Sequence, residues 1–316
     1  HHGGLDGRVR QRRSARDAHR ELPWRDKGNP YYVYLSEIML QQTRVDVVRD
    51  YFQRFIAEVP DFNALAQLDE EKLLHLWQGL GYYQRARRMK EAAQIIMDEH
   101  HGKLPEDLDE LLKLPGIGPY TAGALLSIAH DQKAPAMDGN VIRIYARLYL
   151  LEGTPIDREL KREVQEHLLH DLPDERCGDF NQALMDLGAT ICKPRSPLCH
   201  NCPLQEDCLA YQEGVVELYP ERTKTKDSPI YEKTLLVFSN EGKIGLLRGE
   251  DNLLQGLWRF PTIEGHDPSH LTNPRYLGER KHIFSHQVWK MKAYAVDGSM
   301  DGLHWVPKNK LHDYPM

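Results

Sequence analysis

The chain has 316 residues, enough for two domains of ordinary size, each able to bury its own core. No apolar stretch approaches the ~18 residues that a membrane helix needs, which excludes a helical membrane span and leaves a soluble protein as the expectation. A formal net charge of -6 argues against nucleic acid as a partner. Phosphate binding is nevertheless decided by local clusters, not by the average.

Two such clusters are present. Arg8, Arg10, Arg12, Arg13, Arg16, Arg20 and Arg25 load the N-terminal arm, and Arg85, Arg87, Arg88 and Lys90 follow the glycine-aromatic turn Gly79-Leu80-Gly81-Tyr82-Tyr83. Each run taken alone also fits an ordinary solvated face.

Up to about Gly214, apolar residues recur at three- and four-residue intervals between proline and glycine breaks, so this part reads as helix after helix. Asn29-Pro30 supplies a cap and a first-turn proline for a helix expected to run through Tyr34, Ile38 and Val45. Pro60 closes the next segment after Phe52, Phe55 and Ile56. Glu37 lies in the first helix among Tyr31, Tyr32, Val33, Tyr34, Leu35, Ile38, Met39 and Leu40. A helix apolar on so many sides would desolvate the carboxyl and raise its pKa, which suits a general acid; a surface or capping glutamate is the alternative.

Leu114-Pro115-Gly116-Ile117-Gly118-Pro119-Tyr120-Thr121-Ala122 follows the amphipathic Leu108, Leu111 and Leu112 and has the form of a helix-hairpin-helix. Gly116 and Gly118 would let the backbone approach a phosphate without a Cβ in the way, and the next helix would offer it free N–H groups. A lone G-x-G is usually only a tight turn, but between two helices it points to binding of a DNA backbone. Further on, Asp138 precedes the helical Val141-Ile-Arg-Ile-Tyr-Ala-Arg147, a position where aspartate most often serves as an N-cap. Asn140 would by itself pass as a turn residue.

Cys192, Cys199, Cys202 and Cys208 form a C-x6-C-x2-C-x5-C run. One C-x2-C with wider outer gaps suits the four thiolate ligands of a [4Fe-4S] cluster better than the two matched knuckles of a structural zinc site. Zinc remains the alternative, and disulfides rank below both. Cys177 reads as a core cysteine. Lys193 and Arg195, inside the cysteine loop, would add cationic contacts to a DNA-facing surface.

From Leu218 to Ser228 the composition turns polar and proline-bearing, as a linker does. Beyond it Thr234–Phe238, Ile244–Leu247 and Gln287–Val296 read as strands, with turns at Asn240-Glu241-Gly242 and Asp297-Gly298. The expected division is a helical domain over 1–214, a linker over 215–229 and a smaller β-rich domain over 230–316.

Together Trp24-Arg25, Ser36-Glu-Ile-Met-Leu-Gln-Gln-Thr43, Gly79–Tyr83, Met137-Asp-Gly-Asn-Val141 and the four cysteines resemble, in content and order, the adenine DNA glycosylases of the MutY type, within the endonuclease III-like superfamily. The resemblance implies a multi-domain chain: an all-α helix-hairpin-helix glycosylase domain with a [4Fe-4S] cluster, plus an α/β Nudix-like C-terminal domain. It implies hydrolysis of the N-glycosidic bond of adenine mispaired with 8-oxoguanine or guanine in double-stranded DNA, after base flipping. Glu37 would protonate adenine at N7 and activate the attacking water, while Asp138 would stabilise the oxocarbenium ion, by transient covalent bonding in one version, with Asn140 orienting the site. Tyr120 stands where bifunctional relatives carry a Schiff-base lysine, and a tyrosine forms no imine, so a monofunctional glycosylase is expected, with Tyr120 beside the catalytic pair.

By the same resemblance Trp24, Arg25 and Gln182 belong to the adenine pocket. Gln42, Thr43, Leu80 and Tyr82 are the wedge and sensor residues, with Tyr82 toward the opposite base and Gln42 in the vacated space. Phe284-Ser285-His286 would read 8-oxoguanine. The second domain has no helix of the R-E-x-x-E-E type, so pyrophosphate hydrolysis is not expected, and it stops at Pro315-Met316 where family members continue into another helix. A monomer acting on duplex DNA, away from membranes, in the cytoplasm and at the nucleoid of a bacterial cell, completes the expectation. The rivals are an endonuclease III-like glycosylase/lyase for oxidised pyrimidines, which Tyr120 and the second domain argue against, and a non-catalytic lesion-binding Fe-S protein, which Glu37 and Asp138 together argue against. The cluster itself is expected as a structural clamp, since hydrolysis needs no redox step.

Overall fold

A computed structural model describes residues 22–25, 29–223, 227–250, 254–284 and 286–316. Arg8, Arg10, Arg12, Arg13, Arg16 and Arg20 of the basic arm and Ser285 lie outside the described residues. The chain divides into two units: one holds the chain up to Leu68 with Arg87–Lys224, the other holds Asp69–Ala86 with Thr225–Met316.

In the first unit, α1 (Pro30–Leu40) starts as its sequence dictates: the Asn29 side chain accepts from the backbone N–H groups of Tyr31 and Tyr32, and Pro30 fills the first turn. Eight of its residues, from Tyr31 to Met39 and including Glu37, are buried, so this helix is enclosed on nearly every side. It ends at Leu40, short of the expected run through Val45. Gln42 takes a left-handed φ of 58°, and the Gln41 side chain donates to Thr121 Oγ1 at 3.2 Å. α2 (Val45–Glu58) then buries Val48, Phe52 and Phe55 on one face and stops before Pro60. α3 (Phe62–Gln67) follows, capped by Asp61.

After α4 (Glu70–Trp77) and α5 (Gln84–Glu99), the hairpin comprises α6 (Leu108–Lys113), the turn at Leu114–Gly118 and α7 (Pro119–Ala124), which passes into a wider π turn at Leu125–Ala129. Gly123 is needed here, because a Cβ on it would stand 2.0 Å from the carbonyl oxygen of Pro135. This close approach lets the segment leading to Asp138 lie against the hairpin. Asn181, fully buried, holds the same segment: its amide donates to Ser127 Oγ and to the Ala134 carbonyl and accepts from Ala136 N. α8 (Gly139–Tyr149), α9 (Arg158–Asp171) and α10 (Cys177–Thr190) enclose a core of Val141, Ile144, Leu160, Val164, Leu184 and Leu187, among others. Cys177 is buried in that core, its thiol donating to the Pro173 carbonyl at 2.9 Å. After 3-10 turns at Cys199–Asn201 and Gln205–Asp207, the short α11 (Leu209–Gln212) closes the cysteine loop.

In the second unit, α4 (Glu70–Trp77), capped by Asp69, leads into the Gly79–Tyr83 turn and the start of α5 (Gln84–Glu99). Its sheet has seven strands, β1 (Ile230–Asn240), β2 (Lys243–Arg248), β3 (Trp258–Arg259), β4 (Thr262–Glu264), β5 (Arg275–Ile283), β6 (Val288–Val296) and β7 (His304–Pro307). The order is β3-β2-β1-β6-β5, with β4 added to β1 and β7 to β2. β1 and β6 run parallel, and the other pairs are antiparallel. Glu241 and Gly242, both at positive φ, make the two-residue turn between β1 and β2. Leu236, Phe238 and Val296 form one small core, and Ile244, Leu246 and Val306 another. From residue 227 onward the described residues contain strands and a 3-10 turn at Lys308–Asp313 but no α-helix, so the helical part of the expected α/β domain is not found there. Among the described residues no helix is long and apolar enough to cross a membrane.

Candidate active site and cysteine loop

A cavity of about 840 Å³ opens in the first unit, a size suited to a small-molecule group. Trp24, Arg25, Glu37, Gln42, Thr43, Gly118, Tyr120, Asp138, Asn140 and Gln182 all line it, although they come from widely separated parts of the chain. Gly116 lies in the hairpin turn with φ of 82°, and its carbonyl accepts from Gln41 Nε2 at 3.4 Å. Leu80, Tyr82, Phe284 and His286 belong to the other unit.

Glu37 is 5% exposed. Burial pushes its carboxyl up from 4.5 to about 7; the hydroxyl of Tyr120, which donates to Oε2 at 2.9 Å, pulls down against this, the Asp138 carboxylate pushes up, and Arg25 pulls down. The group therefore holds its proton over much of the neutral range and faces a cavity into which it can deliver it. Tyr120 is itself raised well above the ordinary phenol value by burial and by the two carboxylates, so it remains a neutral donor.

Asp138 caps α8, Oδ1 accepting from Val141 N at 2.8 Å. Its other oxygen accepts from Asn140 Nδ2 at 2.8 Å, and Asn140 Oδ1 in turn accepts from Arg143 Nη2 at 2.8 Å. Capping and presentation of the carboxylate to the cavity thus coexist. Arg25 forms a bidentate pair with the buried Asp186, at 2.7 and 3.0 Å, which fixes its guanidinium at the cavity wall. Trp24 is 5% exposed and packs edge-on against Phe52, while Gln182 donates to the Gly178 carbonyl one turn back.

Two arginines that the sequence reading passed over link this site to the cysteine loop. Besides Asn140, Arg143 donates to the carbonyls of Cys192 at 2.7 Å and Gly188 at 2.8 Å. Arg147, 2% exposed, donates to the Lys193 carbonyl at 2.8 Å, to Tyr219 O at 2.9 Å and to the Cys192 thiol at 3.3 Å. Their only sequence signal is an arginine pair four residues apart on an otherwise apolar helix, which puts both on one side of α8. Asp186, four residues after Gln182, carried a similar signal.

Among the described residues no three His, Cys, Asp or Glu side chains close into a ready metal cage. The four cysteines nonetheless lie near one another: burial pushes the Cys199, Cys202 and Cys208 thiols up, and neighbouring cysteines add to the rise, Cys192 acting on all three, Cys199 on Cys202 and Cys208, and Cys208 on Cys202. Cys192, Cys202 and Cys208 pack on the core beneath them, and Arg147 supplies a donor to sulfur. Four neighbouring thiols with a cationic donor fit an iron-sulfur cluster, whose core is anionic when held by thiolates. Lys193 and Arg195 are exposed on the same loop.

In the second unit Tyr82 is 44% exposed at a φ of 49°, whereas Leu80 is buried within its turn. Phe284 N donates to Gln287 O at 2.8 Å, and the Phe284 ring packs edge-on against Trp289 and His282; His286 is exposed.

The chain is similar to known DNA repair proteins. Residues 35–169 match the HhH-GPD superfamily of base excision DNA repair proteins, and residues 192–208 match the iron-sulfur binding domain of endonuclease III. Over 289 residues the chain is 36% identical to the adenine DNA glycosylase of Buchnera aphidicola subsp. Schizaphis graminum, covering 91% of this chain and 82% of that protein. The chain belongs to the adenine DNA glycosylase family. The mouse member is 33% identical, with 88% of this chain and 68% of that protein covered, and the human member 30%, with 93% and 68% covered. A solved thermostable thymine-DNA glycosylase superposes with a TM-score of 0.59 at 26% identity, over 66% of this chain and 97% of that one. Endonuclease III in a non-covalent complex with DNA gives 0.55 at 26%, over 66% and 95%. As a member of the family the chain is a base excision repair DNA glycosylase, a monofunctional hydrolase of N-glycosyl bonds, and its cysteine run is the binding domain of a [4Fe-4S] cluster.

Proposed function

We propose that this glycosylase removes adenine paired with 8-oxoguanine from duplex DNA, with Glu37 as acid and Asp138 as the stabilising carboxylate. The observation that carries the reading is a buried Glu37, protonated up to about pH 7, sharing one cavity with a capped and oriented Asp138. Adenine leaves poorly as an anion. Delivery of the Glu37 proton to N7 lets the bond between N9 and the sugar carbon break with its electron pair going to the base. The sugar becomes an oxocarbenium ion, and the Asp138 carboxylate, held by Val141 N and Asn140, stabilises that positive charge. Glu37, now ionised, takes a proton from the water that attacks the same carbon and is restored.

Trp24, Arg25 and Gln182 form the wall that receives the flipped adenine. Gln42 and Thr43 follow α1 on the rim of the same cavity, suited to holding the vacated space, and the hairpin glycines Gly116 and Gly118 offer backbone to a phosphate. Tyr82, an exposed ring on a tight turn, enters the duplex toward the opposite base, and buried Leu80 supports that turn. The sheet unit acts as a Nudix-like reader of 8-oxoguanine through Phe284, Ser285 and His286, His286 providing an exposed imidazole for the oxidised base. The enzyme works as a monomer on double-stranded DNA in the cytoplasm, at the nucleoid if the cell is bacterial, and the cluster clamps the loop that carries Lys193 and Arg195.

The test uses duplexes with adenine opposite 8-oxoguanine, adenine opposite guanine, and thymine glycol, scoring base release apart from strand cleavage and borohydride trapping. Adenine release, fastest opposite 8-oxoguanine and without trapped complex, is expected. Release of thymine glycol with efficient trapping would overturn the reading.

A further inference from the structure

The segment Asp69–Ala86, which carries Tyr82, groups with the sheet and not with the helical residues on either side of it in sequence. Two side-chain contacts join this segment to the sheet region. At the start of α4, Glu71 Oε1 accepts from the indole N–H of Trp258 on β3 at 3.1 Å. Trp258 is firmly seated in the sheet: its backbone N–H donates to Pro315 O at 2.7 Å, its ring packs against His304 and edge-on against Tyr314, and it pairs across strands with Arg248. Gln84 Nε2, at the start of α5, lies 3.5 Å from Gln255 Oε1, next to β3 in sequence.

The other end of α4 holds the turn. Trp77 Nε1 donates to the Gly81 carbonyl at 3.1 Å, and Arg85 Nη2 donates to the carbonyls of Leu80 and Gly81 at 3.2 and 3.1 Å, with its guanidinium 5.6 Å from the Tyr82 ring centre. A short helix thus has its first turn bonded to the sheet and its last turn bonded to the backbone beneath an exposed aromatic. Phe284 and His286 lie between β5 and β6 of the same sheet.

We propose that the Glu71–Trp258 hydrogen bond is a specificity-determining strut that makes the Tyr82 turn act on the opposite base as one body with Phe284 and His286. Glu71 and Trp258 are positioning residues, and the inference rests on the reading that Tyr82 and His286 meet the strand carrying 8-oxoguanine. The strut holds Tyr82 where the reader has placed the lesion, so its loss blunts the response to 8-oxoguanine while adenine opposite guanine, which gains little from the reader, is released as before.

The experiment measures single-turnover adenine release by the full chain from duplexes with adenine opposite 8-oxoguanine or guanine, with 2-aminopurine beside the 8-oxoguanine to report unstacking. Trp258→Phe keeps the ring packing and removes the donor; Glu71→Ala removes the acceptor, and Glu71→Gln restores an acceptor oxygen. Trp258→Phe and Glu71→Ala should each lower the 8-oxoguanine to guanine rate ratio about fivefold and reduce the 2-aminopurine signal, the scale of one net hydrogen bond. The double variant should be no worse than either single one, and Glu71→Gln should recover most of the ratio. Additive losses, equal losses on both duplexes, or an unchanged ratio would overturn the strut. His286→Ala is run in parallel: if it alone loses the preference, the coupling fails while the reader stands, and if it too keeps the preference, the underlying reading fails and the proposal with it.

Discussion

The hydroxyl of Tyr120 donates to Glu37 Oε2 at 2.9 Å, and this contact tempers, without cancelling, the upward push that burial gives the carboxyl. The chain thus sets a neutral phenol in direct contact with the buried acid. The Glu37 proton is therefore held mainly by burial, and the Tyr120 hydroxyl is the larger of the effects that oppose it.

That balance has a cost in stability that varies with pH. Glu37 holds its proton in the folded state up to about 7 but in the unfolded chain only to its ordinary 4.5. Below the lower value both states are protonated and the penalty is absent; as pH rises through this window it grows to its full size, on the order of 3 kcal/mol. Glu37→Gln should abolish catalysis and remove this loss. Denaturant unfolding at about pH 5 and about pH 8 is expected to show the wild type losing stability relative to the variant; parallel behaviour would count against a desolvated carboxyl.

Arg143 spans Asn140, the Gly188 carbonyl and the Cys192 carbonyl with one planar group. Lysine at this position keeps a charge but cannot serve three separated acceptors. Arg143→Lys should cut the rate of adenine release by about tenfold or more and lower retained iron, the scale seen when outer partners of a metal site are lost. Single-turnover adenine release measured beside iron content checks this: a variant with full iron and full rate would show that the bridge is idle.

Gly188 allows α10 to approach α8 at the Asn140 end, where a Cβ would stand 2.4 Å from Asn140 Cβ. Gly188→Ala should cost about 1–3 kcal/mol through overpacking. Because the displaced neighbour is the partner of Asp138, release should fall more than duplex binding does. Thermal unfolding and turnover measured on the same preparation check both parts.

Much of this was legible in residues whose neighbours leave few options. Asn29-Pro30 starts a helix by local chemistry, and the apolar run around Glu37 already implied desolvation. The cysteine spacing is local too, and residues 192–208 match an iron-sulfur binding domain. The break after Leu40 was not legible, because Gln41-Gln42-Thr43 holds neither glycine nor proline; it depends on Gln41 reaching Thr121 and on the left-handed Gln42. β5 was missed because an exposed strand has no alternating apolar face to read, and β3 and β4 because strands of two and three residues carry almost no pattern. Arg143 and Arg147 carried no assignment in the sequence, because only helix packing places them against the cysteine loop. The grouping of Asp69–Ala86 with the sheet depends on pairs such as Glu71 and Trp258, 187 positions apart, which no local signal announces.

The most direct test of the central claim is the pH dependence of kcat/KM for adenine release, with the wild type and Tyr120→Phe compared. If protonated Glu37 is the acid, the wild-type value should decline above about pH 7, by about tenfold per pH unit. Tyr120→Phe removes a contact that lowers the pKa of Glu37, so its decline should begin at higher pH. A value that rises through neutrality, or a Glu37→Gln variant with the wild-type rate and profile, would contradict the account.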